Sequence, residues 1–308
     1  MQRRAFVTTV AATGVSLKVP NFAFAQASPV AATPTAEGSD AAATAPQTGY
    51  APVNGVDLYY EVHGIGEPLV LLHGGFATID LMFGQLLPAL AEGRQVIAVE
   101  LQGHGHTADI DRPLRYELMA DDIAVLLDHL GVERADIFGY SLGGGVALQT
   151  AIRHPDRVRK LVVASAPSKR EGWYPEVLAG MAAITPDILV ETPLYDAYVR
   201  VAPNPDDWPT LVAKVRTLLG EEYDWGQDVA AIEAPTLIVV GDADSVRPEH
   251  AVELLRLLGG GGPGDFGPLP PSQLAVLPGT AHSALPFRAD LLLPVVVPFL
   301  DAPMPEDQ

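Results

Sequence analysis

Six short apolar runs, set apart by longer stretches of helical periodicity, leave this chain few ways to fold. They are "PLVLLH" (68–73), "QVIAVEL" (95–101), "ADIFGY" (135–140), "RKLVVA" (159–164), "PTLIVVG" (235–241) and "SQLAVLPG" (272–279). A strand that is apolar at successive positions, rather than at alternate ones, needs cover on both faces, as strands of a parallel sheet have. Helical patterns supply that cover. In "LMADDIAVLLDHLG" (118–131) the residues Ile123, Leu126, Leu127 and Leu130 fall on one helical face, and Gly131 stands where a helix stops. "GGVALQTAIRHP" (144–155) is helical up to Pro155, and "PEHAVELLRLLGG" (248–260) starts on Pro and ends on Gly. Ahead of them, Asn54-Gly55 in "VNGVDLYYEVHG" predicts a hairpin. The alternation predicts an α/β fold with a mostly parallel, doubly wound sheet.

Two segments interrupt the alternation. Residues 167–230 are rich in Trp, Tyr and Pro, with helical stretches near 175–184, 190–201 and 207–220, and read as a helical cap inserted between two strands. "GGGGPGDFGPLPP" (259–271) reads as a surface loop. At the start, Arg3 and Arg4 precede a mildly apolar run, Ala5 to Leu17, then Lys18 and "PNFAFAQA" with small residues at Ala23, Ala25 and Ala27. This pattern is expected of a twin-arginine export signal over 1–27, so the protein is expected to be exported, with a cytoplasmic location as the alternative. The run is too short and polar to span a bilayer core of ~30 Å, so no membrane anchor is expected. Residues 28–48 are mainly Ala, Pro, Thr and Ser, and cannot bury enough surface to offset their ordering entropy; they read as a disordered linker. The folded domain is expected over 49–302, with a tail at 303–308.

Composition excludes several functions. Net charge is −19 with 19 Lys and Arg, which leaves no basic patch for nucleic acid. There is no cysteine, hence no disulfide, thiolate metal site or cysteine nucleophile. No pair of histidines has metal-ligand spacing with a nearby carboxylate, and no phosphate-binding glycine loop follows a strand, so neither a metal nor another cofactor is expected.

One polar residue sits where a plain strand–helix corner would not need it. Ser141 ends "ADIFGY" and opens a helix, flanked by Gly139 and Gly143, a G-x-S-x-G nucleophile elbow. In an open parallel sheet this is the edge where ligands bind. A serine hydroxyl needs a base, and the base a group that orients it. Of the eight histidines, His282 in "LPGTAHSA" follows the last predicted strand at the same edge. In "VVGDADSVRP", after the preceding strand, Asp242 and Asp244 compete for the acid. His63 closes the hairpin; His104, His129, His154 and His250 read as solvated or helix-end residues; His106 reads as a half-exposed loop residue. Asp121 and Asp122 open a helix, where negative charge suits the dipole.

The chain resembles α/β-hydrolase-fold serine hydrolases, the group with esterases, lactonases and cofactor-free haloperoxidase-like perhydrolases. The likeness spans about 50–302 and rests on "LLHGG" (71–75), "GHG" (103–105), "GYSLGG" (139–144), "HPDRVRKLV" (154–162), "GDADSVRP" (241–248) and "PGTAHSA" (278–284), in that order. It implies Ser141 as nucleophile, His282 as base and Asp244, four residues before Pro248, as acid, with Asp242 second. It implies an oxyanion hole from the amides of Leu142 and Gly75, Phe76 being the alternative to Gly75. His73 is expected to be structural. Tyr140, Trp173, Tyr174, Met181 and Trp225 are expected to line the pocket. The implied activity is hydrolysis of a small-molecule carboxylic ester or lactone. Perhydrolysis and carbon–carbon bond hydrolysis are alternatives, as is a ligand-binding receptor that keeps the triad. Glu100-Leu-Gln102 departs from the Asp-x-Arg often found before G-x-G, and His106 from the usual Ser or Thr.

Overall fold

A computed structural model describes residues 45–304. The export signal expected at 1–27 and nearly all of the linker lie outside the described residues. In chain order the elements are β1 (Gln47–Val53), β2 (Val56–His63), β3 (Glu67–Leu72), α1 (Ile79–Phe83), α2 (Leu87–Ala91), β4 (Arg94–Val99), α3 (Tyr116–His129), β5 (Ala135–Tyr140), α4 (Leu142–Arg153) and β6 (Val158–Ala164). Then come α5 (Pro175–Ala182), α6 (Pro186–Leu189), α7 (Pro193–Val201), α8 (Trp208–Gly220), α9 (Gly226–Val229), β7 (Thr236–Ala243), α10 (Pro248–Leu257), β8 (Gln273–Ala281) and α11 (Ala289–Asp301). β1 begins at Gln47, so Gln47 and Thr48, assigned to the linker above, are strand residues paired with Val62 and Glu61.

Eight strands form one sheet in the order β1-β2-β4-β3-β5-β6-β7-β8. β1, β2 and β4 pair antiparallel; every later neighbour is parallel. Asn54 and Gly55 both take positive φ (44° and 90°), the backbone of a two-residue hairpin whose twist matches its strands. All of β5 is buried, as are the last four residues of β3 and β4, which is why these segments read as unbroken apolar runs. α3 and α4 pack side by side, α4 also covering β5 and β6.

α11 had no clear signal in the sequence because Pro294 and Pro298 lie inside it, where proline normally breaks a helix. Its carboxyl end is anchored from the sheet. The buried Lys160 ammonium donates to the carbonyls of Phe299 (3.1 Å), Leu300 (2.8 Å) and Ala302, placing a cation at the negative end of the helix. The cap expected at 167–230 is the helical excursion α5–α9 between β6 and β7.

Candidate active site

β5 delivers Ser141 to the carboxyl edge of the sheet at a corner so tight that side chains are excluded on both sides. A Cβ on Gly139 would stand 2.1 Å from the Gly143 carbonyl oxygen, and one on Gly143 would stand 2.2 Å from that of Leu72. Ser141 itself has φ 53° and ψ −115°, a strained backbone that turns its side chain out of the strand–helix junction. Its amide bonds to Ala164 O (2.9 Å) and the Gly143 amide to His73 O (3.0 Å), so strands on both sides hold the turn.

β7 and β8 bring the partners. His282 Nε2 lies 3.0 Å from Ser141 Oγ, and His282 Nδ1 lies 2.8 Å from Asp244 Oδ1. Ser141 is half-buried, the His282 side chain is 20% exposed, and the Asp244 side chain is fully buried. The competition between the two aspartates is resolved by direction. Asp242 is exposed and accepts the Thr280 amide at 3.1 Å, whereas Asp244 turns inward to His282.

Asp244 is a carboxylate with four donors. Oδ1 takes His282 and the Val246 amide (3.1 Å), and Oδ2 takes the Gly241 amide (3.0 Å) and the Ser165 hydroxyl (2.5 Å). Burial pushes its pKa up, but the His282, Ser165 and Gly241 contacts outweigh it and hold the carboxyl below the usual range. Ser165 was not among the residues singled out from sequence. It is fully buried, with φ 52°, directly after β6. Its one sequence signal is position: it follows the strand beside β5, at the same edge as Ser141.

The turn after β3 completes the rim. Leu142 is the first residue of α4, and the first amides of a helix have no partner within it. A Cβ on Gly75 would stand 3.7 Å from Leu142 Cδ1, so the two segments adjoin; Phe76 follows in the left-handed region, φ 65°. His73 is structural, as expected: Nδ1–H donates to Gly74 O (2.7 Å) and Nε2 accepts the Leu101 amide (3.1 Å). His104 corrects its reading as solvated. It is fully buried, its ring 4.9 Å from that of His73, with Nδ1–H bonded to Gln102 O. His250 is also buried rather than solvated, accepting the Ser168 amide at 3.0 Å. Polarity suggested water; instead each ring is buried with one nitrogen bonded to local backbone. His106 is one-third exposed and donates to the buried Glu100, whose carboxylate also takes the Ile79 amide at the start of α1. Glu100 thereby ties the 103–107 loop to the segment that follows the Gly75 turn.

The aromatic residues divide. Tyr140 donates to His282 O (2.7 Å), and Trp173 packs edge-on to the His282 ring at 5.5 Å. The Tyr174 amide bonds to Ser245 O, next to Asp244. Met181 is half-buried on α5, packed against the core. The Trp225 ring packs on Tyr116 and Tyr223, and the Tyr223 hydroxyl accepts the Trp173 indole N–H. The cap approaches the site through Trp173 and through α8, whose Val215 faces Gly75 and whose Trp208 ring lies 5.9 Å from that of Phe76. Lys214 fastens α8 to the core through Asp109 (2.6 Å) and the carbonyls of Ile110 and Arg112. Among the described residues no group of three or more His, Asp or Glu could hold a metal ion, and no helix is long and apolar enough to cross a membrane.

Residues 67–183 match the family model described as alpha/beta hydrolase fold. The chain is 33% identical over 240 residues to the pimeloyl-[acyl-carrier protein] methyl ester esterase of Neisseria meningitidis serogroup B, covering 70% of this chain and 86% of the relative. This chain belongs to the alpha/beta hydrolase fold family. The hydrolase is also 29% identical over 231 residues to a putative carbamate hydrolase, RutD, of Azorhizobium caulinodans, covering 67% of this chain and 84% of that one. Among solved structures, the enol-lactonase of Burkholderia xenovorans superposes with a TM-score of 0.60 at 23% identity, covering 82% of this chain and all (100%) of that one, a likeness of fold. Relatives in the family are named for different bonds, so membership makes this protein a hydrolase without choosing its substrate.

Proposed function

We propose that this hydrolase cleaves a carboxylic ester or lactone through a covalent acyl-enzyme on Ser141. The reading rests on one observation: Ser141 Oγ, the His282 ring and the Asp244 carboxylate form an unbroken chain of 3.0 and 2.8 Å contacts at the rim of the sheet. Ser141 Oγ attacks the substrate carbonyl carbon as His282 Nε2 takes the hydroxyl proton. The oxyanion is held by the amide of Leu142 and that of Gly75 or Phe76; losing one such donor typically costs ~3 kcal/mol of barrier. His282, now an imidazolium stabilised by Asp244, passes its proton to the leaving alkoxide as the tetrahedral intermediate collapses. Water, deprotonated by the same ring, then attacks the acyl carbonyl and releases the acid and free Ser141. The relative named as a methyl ester esterase, 33% identical, supports an oxygen ester over other bonds.

The test is steady-state hydrolysis of para-nitrophenyl esters and simple lactones by wild type and Ser141→Ala. Turnover that Ser141→Ala abolishes is expected. A stoichiometric burst with tight binding and no turnover would make the protein a ligand-binding receptor. Turnover confined to peracid formation or to carbon–carbon bonds would transfer the triad to those reactions.

A further inference from the structure

The cap carries a hydrogen-bond donor that has no partner among the described residues. Trp208, the first residue of α8, is 2% exposed, and its indole N–H is buried without a partner. A buried donor left unpaired is costly, and native proteins rarely keep one without a use. Two other indoles differ: Trp173 spends its N–H on the Tyr223 hydroxyl (3.2 Å), and Trp225 is not among the residues with an orphaned buried atom.

Its position gives the orphan meaning. Trp208, Leu211 and Val215 lie on one face of α8, spaced by three and four residues. Leu211 meets Gly103, Val215 meets Gly75, and Trp208 meets Phe76, so this face rests on the turn that carries the oxyanion amides. Tyr195 and Tyr198 also pack on the indole, with ring centroids at 5.4 and 5.1 Å. The Tyr198 hydroxyl is itself engaged with Asn204 O.

We infer that the Trp208 indole N–H is a specificity-determining contact for the acyl part of the substrate, where it binds a second, uncharged carbonyl oxygen. This deepens the proposed ester hydrolysis and rests on it. A neutral acceptor is favoured over a carboxylate by the surroundings. Burial pushes the Tyr198 phenol up to about 12, and the negative charges of Asp207 and Asp109 push the same way. Lys214 on α8 is already bound to Asp109 and two carbonyls. A carboxylate here would be desolvated beside the charge of Asp207.

The experiment uses para-nitrophenyl esters of unbranched keto acids, the keto carbon moved along the chain, each paired with the plain acyl ester of equal length. For at least one position wild type should prefer the keto ester by about tenfold in kcat/KM, the worth of one neutral hydrogen bond. Trp208→Phe keeps a ring and removes the donor. It should bring that ratio to about one, whatever loss the two esters share. Two results would overturn the inference: wild type that hydrolyses plain esters with no keto preference at any position, or a preference that survives in Trp208→Phe. The first needs no variant to fold. Wild type inactive toward every ester would instead remove the proposed function, and this inference with it.

Discussion

Replacing Ser165 by Ala removes one of the four donors that hold the Asp244 carboxylate, and the geometry sets the size of the effect. The Ser165 hydroxyl lies 2.5 Å from Asp244 Oδ2, and both residues are buried. A hydrogen bond to a buried charge contributes about 1.5–3 kcal/mol, so unfolding should become easier by about 2 kcal/mol. For a domain of this size that lowers the melting midpoint by about 5 °C. The rate should suffer less than from losing the carboxylate itself. Three donors remain, the carboxylate stays ionised at neutral pH, and His282 keeps its partner. A decrease in kcat of about tenfold is expected, far from the ~10⁴-fold that follows neutralisation of the acid in a serine triad. Ser165 occupies a left-handed backbone, φ 52°, so Ser165→Gly supplies the same loss without the steric cost of a Cβ there. Thermal melts and steady-state rates of both variants make the measurement. Variants matching wild type in stability and rate would refute the idea that Ser165 holds the acid. A ~10⁴-fold loss in a folded variant would mean that Ser165 acts on the reacting atoms.

Asp244→Asn should lower kcat by three to four orders of magnitude, while Asp242→Asn, at an exposed carboxylate on the Thr280 amide, should change it by less than about threefold; equal losses in steady-state assays would return the acid assignment to an open choice. Acid should destabilise the fold through His73 and His104, whose pKa values burial lowers from 6.5 to about 3 and about 4. The unfolded chain takes up protons below about pH 6.5 that the folded chain refuses until about pH 4, so stability falls across that window as pH drops. At pH 5 each imidazole should contribute about 2 kcal/mol to the loss. His106, raised by its bond to Glu100, works in the opposite sense but is one-third exposed. Urea titrations of wild type and His104→Gln at pH 7.5 and 5 should show the variant losing about 2 kcal/mol less between them; an unchanged loss would remove His104 from the account. Removing residues 1–27 should leave hydrolysis intact and abolish export, and a truncated chain still found outside the cytoplasm would refute a signal there.

The parts of the fold that were legible were those in which chemistry repeats along the chain. Strands buried on both faces announce themselves as unbroken apolar runs, as "ADIFGY" does for β5, all of which is buried. The elbow was legible because backbone contact at Gly139 and Gly143 leaves no room for a side chain, and that constraint is written as residue type. Asp244 was separable from Asp242 only by family likeness, since two residues apart on a strand end both are polar and only packing decides which turns inward. Ser165 and Trp208 were illegible for a related reason. Their roles come from what stands opposite them across the sheet and under the cap, and neither belongs to a local pattern. His104 misled because a polar residue in a glycine loop suggests exposure, whereas the loop folds under the His73 ring. α11 was hidden by Pro294 and Pro298, whose local cost is overridden by its buried face, Leu292, Val296, Phe299 and Leu300.

Labelling with a fluorophosphonate, followed by peptide mass spectrometry, tests the activated serine most directly. The reagent phosphorylates only a hydroxyl whose proton a neighbouring base can take. One adduct per chain on the peptide bearing Ser141, lost in both Ser141→Ala and His282→Ala with the fold intact, is the predicted result. An adduct on another residue, or labelling of Ser141 at an undiminished rate without His282, would contradict it.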